Sequence, residues 1–447
     1  MKYTEHVPLT SLKKQVWNRF RKSRSGMAAL VFIGFLSVVA IFADFLASDR
    51  PIYAEYNSTS HWPLFTPTKI DSIYSPVKGE FEQFIYNRTD WRKLELTYAV
   101  WPLIPYGPTT FDLDSKEAVS PWEEQYYLNA QGKEGLLKGR FRHLLGTTEN
   151  GQDLLAGLIH GTRVSLLVGI ISMGIAALIG ILLGSMAGFY GDFRLQIPLG
   201  RLILWLPAIF LAYFYGFYVR RFALVEAGAT SFGLLLWESF ISLVIVSGII
   251  FLIDRLGNRL KKVASLGKLQ TVPVDNIISR SMEVLNSVPV ILVVVSLSVI
   301  FKGNIWLVMV IIGLTNWTGI ARLIRVELLR IVNLSYMESA RAMGFSEWRQ
   351  IWRHALPNGI APVLVVISFG VASAILTESA LSFLNIGVSE DTVTWGRLLN
   401  AARGDFDFWW LAVFPGVAIF LTVLSFNLIG EKLRDILDPR LARKKNR

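Results

Sequence analysis

A chain of 447 residues with 52% hydrophobic and only 18% charged residues, at a mean hydropathy of +0.43, is too apolar for an ordinary soluble domain. It contains no cysteine, which excludes disulfide frameworks, thiolate metal sites and thiol nucleophiles. Its net charge of +11 points to nucleic acid only if the charge is not explained by membrane orientation, so its placement along the chain matters first.

The segment 1–24 opens with Leu9, Leu12, Val16 and Phe20 three to four apart, and with Lys13, Lys14, Arg19, Arg21 and Lys22 among them. This spacing predicts an amphipathic helix in the cytoplasmic interface with Trp17 as an anchor. The competing reading is a disordered basic tail. The charge-free run Ser25–Ala43 follows and predicts a first span over 25–47. It is not a cleaved signal, since Phe45 sits where a small residue would be wanted before Ala47.

From Ser48 to Ile159 the chain changes character. HWPLFTP, YAVWPLIPYGP and SPWEEQYYL combine aromatic residues, prolines and mixed charges, which predicts a folded external domain over 48–159 with a small core. Short strands are expected near Phe81–Tyr86 and Lys93–Val100. Without disulfides the domain is expected to lean on the membrane part. Asn57-Ser-Thr and Asn87-Arg-Thr match glycosylation sequons, a tripeptide pattern that arises often by chance.

Further charge-free runs are Val164–Gly191, Leu202–Val219, Val284–Phe301, Gly303–Ala321, His354–Thr377 and Phe408–Gly430. Each approaches the ~17–25 residues that cross a bilayer as helix. Ser239–Ile253, extendable through Glu238 back to Phe232, is a weaker candidate. Glu238 is tolerable near the outer surface but would cost about 2–3 kcal/mol at mid-membrane. One such run could be a buried core helix; seven strong ones define a polytopic membrane protein.

The most informative stretch is Tyr336–Gly359, YMESARAMGFSEWRQIWRHALPNG. Glu338–Met343 reads as helix, and Gly344 suits the left-handed position that closes one. Ser346 can cap a second helix with Glu347 in its first turn. Pro357 is expected to end that helix and to disfavour helical geometry at Leu356. The outcome is a short amphipathic hairpin at a membrane surface. The plain alternative is a connecting loop that is rich in Arg because cytoplasmic loops usually are.

Charge placement sets the expected orientation. Residues 1–24, 191–201, 254–280, 322–353 and 431–447 together hold 28 of the 45 Lys and Arg. The stretch 48–159 holds 11, against 15 Asp and Glu. Short positive loops face the cytoplasm, so both termini are expected inside and 48–159 outside.

The hairpin sequence resembles the cytoplasmic "EAA" loop of ABC importer permeases, with Glu338, Ala340, Gly344, Leu356 and Pro357 in register and Ser339 in place of the middle alanine. RHALPN, with His354 and Asn358, resembles the variant found in oligopeptide/dipeptide permeases. WNRFRKSRSGMAAL, HLLGTTENGQDLLAGLIHGTRVSLLVG, LSFLNIGVSEDTVTWGRLL and FNLIGEKLRDILDPRL resemble that family's recurring stretches in the same order. The resemblance implies an all-α polytopic membrane protein, with an ABC importer type I permease core of about six spans. It implies coupling to ATPases through Glu338, Ser339, Ala340, Gly344, Ser346, Ile351, His354, Leu356, Pro357 and Asn358. It also implies a second homologous permease, two ATP-binding subunits and an external solute-binding protein as partners, in a bacterial inner membrane. Short peptides are the implied substrate; metal chelates, glutathione or antibiotic peptides are the alternatives.

The chain departs from the family at 192–271. SMAGFYGD normally leads directly to a segment here written VPVDNIISRSMEVLNSVPVILVV, yet roughly eighty residues intervene. Both flanks must be cytoplasmic, so the insertion is expected to cross the membrane an even number of times: two extra spans packed on the periphery of the core, or none if its apolar stretches lie in the interface. The permease core over 272–430 then carries the EAA loop at 325–358, and 431–447 forms a cytoplasmic tail.

Catalytic chemistry is missing from the sequence. Gly267-Lys268 lacks the rest of a phosphate-binding loop. His6, His61, His143, His160 and His354 are scattered without metal-ligand spacing, and no metal or cofactor is expected. ATP hydrolysis is therefore expected on separate subunits. A self-sufficient secondary transporter is the remaining class, weakened because Asp44, Glu238 and Glu378 fall near the ends of their spans.

Overall fold

The computed structural model describes residues 9–437, except 57, 67–68, 76–79, 87–88, 95, 113–117, 129–133, 138, 231, 261–266, 301–303, 390 and 405–406. Both sequon asparagines, Asn57 and Asn87, lie outside the described residues, as do Lys261, Lys262, residues 1–8 and the tail from 438.

Among the described residues, seven helices are long and apolar enough to cross a membrane: Arg24–Ile41, Leu154–Tyr190, Leu199–Tyr218, Trp237–Arg259, Ile305–Ile331, Ala361–Phe383 and Trp409–Leu437. A further pair, Val274–Ser287 and Val290–Ile300, is long and apolar enough only when taken together and is bent by 74° at its break, the geometry of a broken span or a re-entrant loop. The single straight span expected over Val284–Phe301 is thus corrected. Pro289 lacks the N–H that would continue the ladder, and Val288 before it is extended at φ −99°, ψ 127°.

The N-terminal helix Leu9–Arg21 does form, and Phe20 at its end is buried against Gly26 of the first span. Ser23 caps that span by accepting the Gly26 N–H at 3.2 Å. The second span begins at Leu154, earlier than the expected 160, because Asp153 Oδ1 accepts the Ala156 N–H at 2.7 Å and starts the helix there. At 37 residues this helix is about 55 Å long, well beyond a bilayer core, so it carries the fold out of the membrane.

Packing within the membrane part follows small residues rather than apolar bulk, since lipid tails are as apolar as leucine. The helices Leu154–Tyr190 and Ile305–Ile331 lie against each other along Gly180, Gly184 and Gly188. A Cβ on Gly184 would stand 2.5 Å from the Ala321 carbonyl oxygen. In return, Gly313 receives Ile175, and Ser172 Oγ donates to the Met309 carbonyl at 2.9 Å. The main buried core joins these two helices to Val363, Val371 and Ile375 of Ala361–Phe383.

The region between the first two long apolar helices is built of short strands. Thr59–His61, Tyr53–Tyr56 and Tyr98–Val100 form one antiparallel sheet in that order. Ile70–Ser75 pairs with Glu80–Ile85, and Tyr126–Leu128 with Glu134–Leu136. Among the described residues of Lys93–Val100 only the last three are strand, and Trp91–Lys93 is a single 3-10 turn capped by Asp90. Ala54, Tyr86 and Trp91 make a compact core, with His61 Nδ1 2.6 Å from Tyr86 Oη and Trp91 Nε1 donating to the Tyr86 carbonyl at 3.1 Å.

The insertion is a helical hairpin pinched at its neck. Gln196–Pro198 pairs antiparallel with Leu269–Thr271, and Val272 N–H donates to the Leu195 carbonyl at 2.9 Å. Its two ends therefore lie side by side. Leu199–Tyr218 returns through the helix Arg221–Thr230 to Trp237–Arg259, and among the described residues of 199–260 none belongs to a buried core shared with the other helices. Arg201 pairs with Asp254 at the neck end, and Arg220 with Glu238 at the far end. The two pairs are separated by roughly 25–30 Å along the helices, a length close to that of a hydrocarbon core, and Glu238 stands at the far end beside its counter-ion.

Candidate functional site

The helix Ser335–Ala342 carries Glu338 in its first turn, where the backbone N–H groups favour a carboxylate. It closes as the sequence predicts. Gly344 sits at φ +72°, its N–H donates to the Arg341 carbonyl at 2.9 Å, and the Phe345 N–H donates to the Ala340 carbonyl at 3.2 Å. Ser346 Oγ then accepts the Arg349 N–H at 3.4 Å and opens the second arm, Glu347–Gly359.

Pro357 does not end that arm, contrary to the sequence expectation. The stretch Gln350–Ala355 widens into a π-helix, in which the Leu356 N–H reaches the Ile351 carbonyl. One residue is thereby absorbed, and Pro357 falls in the first turn of the next helical segment, where a missing N–H costs least. Asn358 Nδ2 donates to the His354 carbonyl at 2.7 Å, satisfying a group just beside the break.

The ten residues singled out in the sequence divide into two sets. Ala340, Ile351 and Leu356 are buried, with Met337 and Ala355, under Ile324, Leu328 and Ile331 of the preceding span. Glu338, Ser339, Gly344, Ser346 and Asn358 are exposed, while His354 and Pro357 are half-buried. His354 stacks on Phe345 with ring centroids 5.4 Å apart, and the Arg349 guanidinium covers Phe345 at 4.1 Å. Between the arms stand Met343 and Trp348, 63% and 67% exposed, an apolar tip left largely open. Trp348 makes a tilted ring contact with Trp352 at 5.1 Å.

Sequence reasoning missed the contacts that tie this hairpin to the spans. Tyr190, the last residue of the second span, donates its Oη to Glu347 Oε2 at 3.1 Å. Arg194, just beyond, has its pKa lowered by burial and then by nearby Arg341, with Glu347 opposing. Asp192 Oδ1 accepts the Asn276 N–H at 2.9 Å, and Asp275 forms an ion pair with Arg325, Nη2 to Oδ2 at 2.6 Å. Hairpin, second span, insertion neck and bent helix thus meet at one end of the molecule. The charged residue types were visible, but their pairing joins positions up to 157 apart in sequence.

A second cluster lies at the opposite end. His143, fully buried, has Nδ1 2.8 Å from Asp153 Oδ2 and Nε2 3.3 Å from Asp112 Oδ2, while Arg92 Nη1 is 3.5 Å from Asp112. Burial works against the imidazolium, but the hydrogen bonds to Asp112 and Asp153 outweigh it and raise the pKa above the usual histidine value. Since Asp153 also caps the second span, this network fastens the strand region to that helix. No group of three metal-ligating side chains occurs among the described residues.

A cavity of about 760 Å³ opens at this same end. It is bounded by the Thr148–Gln152 loop, Ser298 of the bent helix, the Asn385–Ser389 turn and the helix Trp395–Ala401. Below it Glu378 is wholly buried and accepts from Ser382 Oγ at 2.5 Å.

A small-residue helical bundle with an amphipathic hairpin at one end and a polar cavity at the other defines a polytopic transport permease. The model for the binding-protein-dependent transport system inner membrane component matches residues 265–443, and that for the N-terminal TM domain of oligopeptide transport permease C matches 11–67. The chain is 24% identical over 440 residues to the inner membrane ABC transporter permease protein YejE of Escherichia coli, covering 97% of this chain and 99% of that one. It is 29% identical over 300 residues to the glutathione transport system permease protein GsiD of Pectobacterium atrosepticum, covering 67% and 73%. The chain belongs to the oligopeptide/dipeptide branch of the ABC importer permeases, a family of multi-pass inner-membrane components of transporter complexes.

Proposed function

We propose that this chain is the membrane-spanning permease subunit of an ABC importer for short peptides. It works beside a second, homologous permease, with two cytosolic ATP-binding subunits and an external solute-binding protein. The observation that carries this reading is the hairpin tip. Met343 and Trp348 stand exposed on a scaffold fixed by Gly344 and by the buried set Ala340, Ile351 and Leu356. A rigid apolar anchor beside the acidic Glu338 and Glu347 is what helix-in-groove docking requires.

ATP-driven closure of the ATPase pair displaces this tip. The displacement passes through Glu347–Tyr190 to the second span and through the buried set to Ile305–Ile331. Both termini and the hairpin face the cytoplasm. The N-terminal helix and the last turns of Trp409–Leu437 lie together, with Gly26 against Lys432, and the hairpin shares their side of the bundle. The strand region faces outward, where its exposed Trp62 and Trp122 offer anchors for the binding protein.

The peptide assignment is favoured over a metal chelate or other solute by the family branch and by the glutathione permease among the relatives, glutathione being itself a small peptide. Reconstitution in proteoliposomes with the partner subunits tests the reading: labelled tripeptide should accumulate with ATP and binding protein, and only then. Accumulation driven by an ion gradient without the ATPase subunits would establish a secondary transporter instead.

A further inference from the structure

The cavity opposite the hairpin is lined by polar side chains unlike the apolar spans around it. We propose that it is a recognition site for the free ammonium terminus of a peptide, with the Glu149 carboxylate as counter-ion; this rests on the peptide-importer reading. Glu149 and Asn150 occupy the tip of a tight turn. The Gly151 N–H donates to the Thr148 carbonyl at 2.9 Å, the Thr148 N–H donates to the Gln152 carbonyl at 2.9 Å, and Gly151 is left-handed at φ +76°.

The turn is itself anchored. Trp410 Nε1 donates to the Thr147 carbonyl at 3.0 Å, and the Asp112 N–H donates to the Gly151 carbonyl at 3.1 Å. Both side chains at the tip are held outward on the cavity wall before any ligand arrives, so little ordering remains to be done on binding.

Two charged side chains line the wall among the described residues, Glu149 and Arg397. Glu149 makes no hydrogen bond or ion pair with any described residue, whereas Arg397 Nη1 donates to the Ser389 and Thr392 carbonyls at 3.1 and 3.3 Å. The Glu149 carboxylate is therefore open to a cation, while Arg397 is turned onto the backbone of the cavity rim. Ser298 Oγ, 99% buried on the same wall, has no hydrogen-bond partner among the described residues, an atom whose desolvation only a ligand or water would offset.

Asn150 and Gln152 add paired amide donors and acceptors, the groups that match a peptide main chain whatever its side chains. Asn385 is held at φ +56°, with its Nδ2 donating to Asn400 Oδ1 at 3.2 Å, a costly backbone geometry kept at the cavity edge. The volume is within the range of small-ligand sites. The occupant this chemistry fits is a short peptide entering amino end first, selected for its ammonium group and main chain.

The test uses the complete transporter, with both permeases, ATPases and binding protein, trapped with ATP and vanadate. Tritiated trialanine and a water-soluble carbodiimide are then added, and the labelled fragments mapped. An amide bond between the peptide nitrogen and Glu149 is expected. It should be absent with N-acetyl-trialanine, reduced roughly tenfold or more in Glu149→Gln, and retained in Glu149→Asp. Normal trialanine uptake with the label elsewhere, or with Glu149 joined to a lysine of the binding protein, would overturn the site and leave the importer reading standing. Absence of ATP-dependent trialanine uptake by a complex that hydrolyses ATP would overturn both.

Discussion

Gly344 is the position where backbone geometry and transport can be compared most directly. At φ +72° it ends the first arm of the hairpin, and a Cβ placed there would meet no atom within 4 Å. Alanine therefore costs only its own backbone strain, about 1 kcal/mol, since no neighbour is displaced. Proline is different in kind. Its ring fixes φ near −65°, which the turn cannot accept, and it removes the N–H that donates to the Arg341 carbonyl at 2.9 Å. It also displaces the Phe345 N–H from the Ala340 carbonyl, so the total is about 4 kcal/mol or more. If the closed hairpin is the form that couples, these figures correspond to roughly fivefold and about a thousandfold losses in its relative population. The assay is ATP-dependent uptake of a labelled tripeptide, normalised to permease found in the membrane. Gly344→Ala should retain partial uptake and Gly344→Pro none, with both proteins inserted at wild-type levels. Wild-type uptake by Gly344→Pro, or equal losses in the two variants, would refute the reasoning.

The insertion is expected to cross twice, so a Cys at Val225, 72% exposed on the helix between its two arms, should react with an impermeant maleimide added outside intact cells; the cysteine-free background makes the result unambiguous. Ala227 is unsuitable for that purpose, being only 6% exposed. Gly184→Leu should abolish stable insertion, because even a Cβ would lie 2.5 Å from the Ala321 carbonyl and overpacking costs roughly 1–3 kcal/mol or more; protease resistance in membranes reads this out. His143 is protonated in the fold to a pH above its ordinary 6.5, so its stabilisation is complete below that value and fades as pH rises through the raised one. The melting temperature of the strand region should therefore fall as pH rises above about 6.5, and His143→Gln should flatten that slope.

Much of this architecture was legible because membrane spans announce themselves by length and apolarity, and Gly344 and Ser346 by the backbone roles few other residues fill. What failed did so for local physical reasons. Charge-free runs do not report bends, so the break at Val288–Pro289 was hidden inside Val284–Phe301 although the proline stood in view. At Pro357 the rule that proline ends a helix was overridden by a π-turn, a change of hydrogen-bond register that leaves no trace in composition. The contacts that join the parts were not legible at all. Tyr190–Glu347, Arg325–Asp275 and the carboxylates around His143 each pair distant residues, and one sequence records no partners. The even number of crossings expected of the insertion rests on topology alone; what the structure adds is the pair of strands at its neck that brings its ends together.

The account depends most on the hairpin tip docking on an ATPase subunit. Met343→Cys, 63% exposed in a chain otherwise free of cysteine, can be treated with a short thiol-to-amine crosslinker in membranes that hold the assembled transporter. The account predicts one dominant adduct with the ATP-binding subunit, whose yield changes on adding ATP and vanadate, and no such adduct from Val225→Cys. An adduct confined to lipid or to the partner permease, with the ATP-binding subunit present and active, would contradict it.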